Sequence, residues 1–286
     1  METFQYHRPE TLMEALRLLH QYGGDARPLA GGQSLMPLLR GGILTPRALV
    51  DLAGIPELRW LRWDDREGLF IGAMVTQREL EMSPLLQEKC PALAEAVSRV
   101  ASVPVRNLGT LGGNLCHAGP GADPPAILIA LNASAQIAGP SGLRTLPVED
   151  LIAGPYETVL ADGEVLTSIH VPPPCPGTRA VYLKHSVRAI DPAIIGVGAM
   201  VELQNGLVHE VRIGMVGAGP QPLRARAAEQ ALRGRPLEDD AIRQAALAAA
   251  DESEPLSDGY ASAEYRRKMV RVFVRRSLEQ AAQSHA

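Results

Sequence analysis

The sequence predicts an α+β protein: two small α/β units, then an antiparallel sheet backed by helices. Three observations lead there. Short apolar runs of strand length alternate with helical periodicity through the first part of the chain. A triple proline, Pro172-Pro173-Pro174, then reads as a stiff linker. Beyond it, three strand-like runs precede three helical ones, the order of a domain whose helices cover one face of a sheet. The expected divisions are residues 1–55, 56–173 and 177–286.

In the first unit, Phe4-Gln5-Tyr6 reads as a short strand. Pro9 opens a helix in which Leu12, Ala15, Leu16 and Leu19 share one face, and Gly23-Gly24 stops it. Arg27 to Ala30 reads as a strand running into a glycine turn. Ser34 is suited to cap a short helix from Leu35 to Leu39, and Ala48 to Leu52 closes the unit as a strand.

The second unit begins with a hairpin, Leu58 to Trp63 and Leu69 to Ala73, around the polar turn Asp64 to Gly68. Helices are expected over Thr76 to Met82 and Leu85 to Ala101, followed by a loop around Pro104 and a second glycine turn. Asp123-Pro124-Pro125 leads into an apolar stretch, Ala126 to Leu131. A hairpin follows through Ala135 to Ala138 and Leu143 to Leu146, and Val165 to Val171 alternates as a strand. In the third unit the strands are Ala180 to His185, Ile194 to Leu203 and Val208 to Val216. Pro222 fits the start of the first helix, and the last helix runs from Ala263 to Ala282.

Composition narrows the function. The chain has 286 residues, 46% hydrophobic and 21% charged, with a net charge of −4. That balance gives no electrostatic case for nucleic acid or an anionic membrane. No apolar run reaches the length of a membrane span, and Met1 to Gln5 lacks a basic-then-apolar signal, so a cytoplasmic location is expected. Cys90, Cys116 and Cys175 are too few and too scattered for a disulfide framework or an iron–sulfur cluster. The histidines show no ligand spacing either, so no metal is expected in this chain, and no catalytic triad or acid–base pair stands out.

Two glycine-rich turns carry the chemistry: Ala30-Gly31-Gly32-Gln33-Ser34 and Thr110-Leu111-Gly112-Gly113-Asn114. Adjacent glycines let backbone N–H groups close on phosphate oxygens. Each pair also suits an ordinary tight turn. Two such turns, both beside hydroxyl or amide residues, point to a clamp on a diphosphate.

These turns, the stretch from Thr110 through Asp123, and Tyr182-Leu183-Lys184 together resemble the FAD-binding medium subunit of molybdenum hydroxylases. The likeness is to the carbon monoxide dehydrogenase flavoprotein type, with the FAD domain of xanthine dehydrogenase a more distant relative. It covers nearly the whole chain. The resemblance implies a PCMH-type FAD-binding domain of two α/β subdomains followed by the C-terminal sheet-plus-helices domain. It implies that Leu29, Ala30, Gly31, Gly32, Gln33, Ser34 and Leu35, with Thr110, Leu111, Gly112, Gly113 and Asn114, cradle the FAD pyrophosphate. Asp123 would face the sugar-like portion, Leu166 would pack on the cofactor, and Lys184 would lie near the isoalloxazine. Asp191 would lie in a loop beside the ring, where Pro192 replaces an aromatic residue of some relatives.

The implied role is electron transfer within a heterotrimer. A small subunit would carry two [2Fe–2S] clusters, a large one the molybdenum cofactor, and the assembly would be a dimer of heterotrimers. The rival readings are a stand-alone flavin reductase resembling UDP-N-acetylenolpyruvoylglucosamine reductase, and a flavin-binding assembly protein without turnover. Arg267, Arg271 and Arg275, at i, i+4 spacing on the last helix, form either a solvated face or a docking surface for an acidic partner.

Overall fold

Three larger β-sheets and one two-stranded ribbon make up the computed structural model, which describes residues 3–283; Met1 and Glu2, part of the signal-sequence reading, lie outside them. The first sheet is parallel. Strands β1 (Gln5–His7), β2 (Ala26–Leu29) and β3 (Ala48–Asp51) lie in the order β1-β3-β2, linked by helices α1 (Leu12–Tyr22) and α2 (Leu35–Arg40). Helix α1 buries Ala15, Leu18 and Leu19 against Ala26, Ala48 and Val50. It starts later than Pro9 because the Thr11 hydroxyl accepts the Glu14 N–H and caps it.

The second sheet is antiparallel. It joins β4 (Leu61–Asp64), β5 (Gly68–Gly72), β6 (Ser134–Gly139), β7 (Gly142–Pro147) and a later strand, Val165–Val171, in the order β4-β5-Val165–Val171-β6-β7. A small ribbon, β8 (Ile152–Gly154) and β9 (Glu157–Thr158), precedes that strand, which is therefore β10. Between β5 and β6 run α3 (Gln77–Met82), α4 (Pro84–Lys89), α5 (Pro91–Ser98), α6 (Val103–Leu108), α7 (Leu111–His117) and α8 (Asp123–Ala130).

Several sequence expectations change here. The single helix expected over Leu85 to Ala101 is two helices, because Pro91 ends one and opens the next as a first-turn residue. The loop expected around Pro104 is α6, again with proline at its start. The apolar stretch after Asp123 is α8, whose eight residues are all buried. A helix covered on every side has no polar face, so its sequence shows no period.

The third sheet, antiparallel, comprises β11 (Thr178–His185), β12 (Ile195–Gln204), β13 (Leu207–Val216) and β14 (Leu223–Arg224) in sequence order. Helix α9 (Arg226–Leu232) begins after β14 rather than at Pro222, and α10 (Asp239–Glu252) and α11 (Ala263–Gln283) complete the chain. Val197, Ala199, Val201, Val211 and Ile213 pack under Ala245, Ala249, Val270, Val274 and Leu278 of these helices. The opposite face of the sheet lies on α8. There Gly198 and Gly214 have no room for a side chain, since a Cβ at either would overlap the backbone of Ala126 or Ile127. On α11, Arg267 bonds the Ser253 carbonyl and Arg275 pairs with Glu279, so part of that cationic face is used within the chain.

Candidate functional site

Strand β2 delivers the first glycine turn to a half-buried position at the head of α2. Gly32 adopts φ +68°, a region open to glycine. The backbone N–H groups of Gly32, Gln33, Ser34 and Leu35 find no acceptor in the chain among the described residues. Four consecutive unpaired donors are the arrangement an anion satisfies. Gln33 Nε2 donates to the Gly31 carbonyl at 3.1 Å. Ser34 occupies the cap position but makes no capping bond, contrary to expectation, which leaves its hydroxyl without that task.

The second glycine turn is the first turn of α7, and its amides from Leu111 to Asn114 are already used. Leu111 N–H donates to Val75 at 3.0 Å and Gly112 N–H to Ala73 at 2.9 Å. The Thr110 hydroxyl accepts the Gly113 N–H at 2.9 Å, and Asn114 N–H donates to the Thr110 carbonyl at 3.0 Å. Among the described residues this turn therefore offers a ligand its side chains and, of its backbone donors, the Thr110 N–H alone. Asn114 Oδ1 is buried and without a partner. A carboxamide can present either end, so Asn114 can accept from a hydroxyl or donate to a phosphate oxygen.

The two turns meet. A Cβ on Gly31 would overlap the Leu108 carbonyl oxygen, and one on Gly113 would stand 3.3 Å from the Ala30 Cβ. Glycine at these positions is what lets segments distant in sequence lie backbone to backbone. Gln77, 1% exposed, braces the junction: its N–H donates to the Gly109 carbonyl at 2.8 Å and its Nε2 reaches the Thr110 carbonyl at 3.4 Å. A cradle with four free amides, an orphaned amide side chain and backbones in close approach fits a dinucleotide pyrophosphate.

Asp123 opens α8 and is only 3% exposed. Tyr182 Oη donates to its Oδ1 at 2.6 Å, and Lys184 Nζ donates to its Oδ2 at 3.0 Å. The same ammonium donates to the Arg99 carbonyl at 2.8 Å. Tyr182 and Lys184, two apart on β11, point to one face. Across the ladder from Lys184 stands Gly196, where a Cβ would lie 2.7 Å from Tyr182 Oη. Burial pushes the Asp123 carboxyl up to about 6, outweighing Lys184, Tyr182 and Arg99, which favour the charged form. Tyr182 is raised well above its ordinary value, first by burial and then by the Asp123 charge. The expectation placed Asp123 and Lys184 separately around a cofactor; the structure brings them together as a buried pair.

Asp191 forms a close pair with Arg188, whose guanidinium holds its carboxyl below the usual range. The following Pro192 lies against Gly121, in the loop that leads into Asp123. Leu166 is 3% exposed in β10, opposite Ile137. Truncating it removes core packing, so Leu166→Ala should cost roughly 2–5 kcal/mol of stability. Urea unfolding that gives a parent-like midpoint would contradict this. Cys116 is half-buried, and desolvation of its sulfur pushes the thiol up to about 12, so it is not a thiolate at neutral pH. Among the described residues no cluster of His, Cys, Asp or Glu is arranged to hold a metal, and no helix is long and apolar enough to cross a membrane. Sequence reasoning missed Arg99, Gln77 and the site role of Tyr182. Only the appearance of Tyr182 beside Lys184 in the motif pointed toward the last.

Comparison with known proteins shows the family. The family described as the FAD binding domain in molybdopterin dehydrogenase matches residues 2–174, and the CO dehydrogenase flavoprotein C-terminal domain matches residues 180–281. The chain is 37% identical to the carbon monoxide dehydrogenase medium chain of Hydrogenophaga pseudoflava, covering 97% of this chain and 96% of that one. It is 30% identical to the xanthine dehydrogenase FAD-binding subunit of Escherichia coli O157:H7, covering 96% and 95%. Among solved structures, carbon monoxide dehydrogenase from Hydrogenophaga pseudoflava superposes with a TM-score of 0.95 at 39% identity, over 99% of this chain and 98% of that chain. Quinoline 2-oxidoreductase from Pseudomonas putida 86 gives 0.93 at 32% identity, over 99% and 98%. With unpaired amides, close-packed glycine turns and both family domains matched along its length, this chain belongs to the FAD-binding flavoprotein subunits of the molybdopterin dehydrogenases, the carbon monoxide dehydrogenase medium chain type.

Proposed function

We propose that this chain takes electrons from [2Fe–2S] clusters of a small partner subunit and passes them to an external acceptor. A large partner subunit with the molybdenum cofactor would hydroxylate the substrate, and the assembly would be a dimer of heterotrimers. The observation that carries the reading is the junction of the two glycine turns, inside a region matched throughout by an FAD-binding family. The proposed organisation is that of residues 1–55 and 56–173 around the cofactor, with residues 177–286 behind.

In this proposal the Gly32 to Leu35 amides receive the pyrophosphate charge, and Thr110 and Asn114 add side-chain bonds from the opposite side. Leu29, Ala30, Gly31, Leu111, Gly112 and Gly113 shape the approach. Asp123 and Lys184 flank the remainder of the cofactor as a coupled acid and cation. FAD, when bound, supplies one- and two-electron transfer, which no side chain of the protein can provide. The protein's part is to bind, orient and set local charge.

A visible spectrum of the natively purified protein, with metal analysis of copurifying chains, tests this. Flavin absorbance in this chain, with molybdenum and iron confined to the others, is the expected result. An isolated chain that holds flavin and oxidises NADPH unaided would overturn it in favour of a self-sufficient reductase. Absence of flavin would overturn both.

A further inference from the structure

Arg106, near the end of α6, is 7% exposed, and each nitrogen of its guanidinium is engaged. Nε and Nη2 donate to the two carboxylate oxygens of Glu81 at 2.9 and 3.2 Å. Nη1 donates to the carbonyls of Val100 at 2.9 Å and Ala101 at 3.0 Å. Glu81 is also paired with Arg78 at 2.9 Å.

The gripped carbonyls belong to an unusual turn. Ala101 has φ +43°, a left-handed conformation that residues with a Cβ avoid. Such a turn persists only where its surroundings hold it. Immediately before it, Arg99 gives its carbonyl oxygen to Lys184 Nζ. A continuous path of bonds therefore runs from Glu81 through Arg106 and this turn to Lys184, Asp123 and Tyr182.

We infer that Arg106 is a positioning residue for Lys184: by gripping the Val100 and Ala101 carbonyls it fixes the Arg99 carbonyl that orients the ammonium against Asp123. The task needs a guanidinium, whose fork binds a carboxylate and neighbouring carbonyls at once; a lysine ammonium lacks that fixed geometry. Any consequence for the flavin rests on the electron-transfer reading above, whereas the control of Lys184 rests on this chain's geometry alone.

The test uses the full-length, flavin-loaded protein with carbon-13-labelled aspartate, the Asp123 carboxyl being assigned by its loss in Asp123→Asn. The groups facing Asp123 are Lys184, Tyr182 and Arg99, and of these Arg106 governs the first. Arg106→Ala and Arg106→Lys should raise the Asp123 titration midpoint by roughly half a unit, about threefold in proton affinity. The same changes in a Lys184→Met background should produce no further shift. A parent-like midpoint in the Arg106 variants, or an equal shift with Lys184 absent, would overturn the inference. Should Arg106→Ala fail to fold, Arg106→Lys decides by the same comparison. The flavin reduction potential of Lys184→Met separates the two proposals. A parent-like potential alongside a shifted Asp123 titration removes Lys184 from the flavin and leaves the role of Arg106 supported.

Discussion

Gly31→Ala is expected to yield protein with little or no bound FAD. The added methyl would overlap the Leu108 carbonyl oxygen and crowd the Leu108 carbonyl carbon and the Gly109 Cα, which are backbone atoms at the end of α6. A flexible side chain could swing aside; this segment cannot, because the Gly109 carbonyl and N–H are already bonded to Gln77 and Val105. The first turn must instead retreat, carrying the four unpaired amides from Gly32 to Leu35 away from Asn114. Overpacking of this kind costs about 1–3 kcal/mol or more, equivalent to roughly 5- to 150-fold in affinity. The flavin-to-protein ratio after gel filtration measures it. Gly259→Ala is the control, since a Cβ there meets nothing within 4 Å. Parent-like FAD content in Gly31→Ala would mean that the junction of the two turns does not set the cofactor site.

Lys184→Met is expected to destabilise the protein in a strongly pH-dependent way. Both partners of the pair are nearly sealed, with side-chain exposures of 5% for Lys184 and 4% for Asp123. Removing one member of such a pair costs about 3–5 kcal/mol, because the other is left buried and charged. The sign with pH follows from Asp123. Its carboxyl titrates at about 6 in the folded chain against 3.8 as the ordinary value, so the folded state holds the proton more tightly. Stability from this group is fully present below 3.8 and is lost as pH rises through about 6. Without Lys184 the folded value climbs further and the loss extends to higher pH. The melting temperature of Lys184→Met should therefore fall below the parent's far more at pH 8 than at pH 4. Adding Asp123→Asn, which removes the stranded charge, should restore part of the difference at pH 8. A deficit that is equal at both pH values would show that the ammonium does not compensate Asp123.

What the chain determined by itself is whatever depends on near neighbours in sequence. Helix α1 shows its buried stripe as Ala15 and Leu19, whereas β10, expected to alternate, is buried at six of its seven positions. The two glycine pairs mark backbones that must come close. From these, the α+β class, the order of its parts and the family were legible. Single-sided elements reveal themselves because one face is apolar and the other is not.

The tertiary structure decided the rest. Helix α8 is buried all round between the second unit and the C-terminal sheet, so no periodicity announced it. Leu111 and Gly112 of the second turn spend their amides on Val75 and Ala73, partners fixed only when β5 and the segment after it fold beside it. Most of all, Asp123 and Lys184 are 61 residues apart and meet because the glycines of β12 and β13 let the sheet settle onto α8. A local pattern carries no information about which distant charge will share a desolvated pocket. That choice is made when packing excludes water and leaves a carboxylate with only the donors the fold has placed within reach.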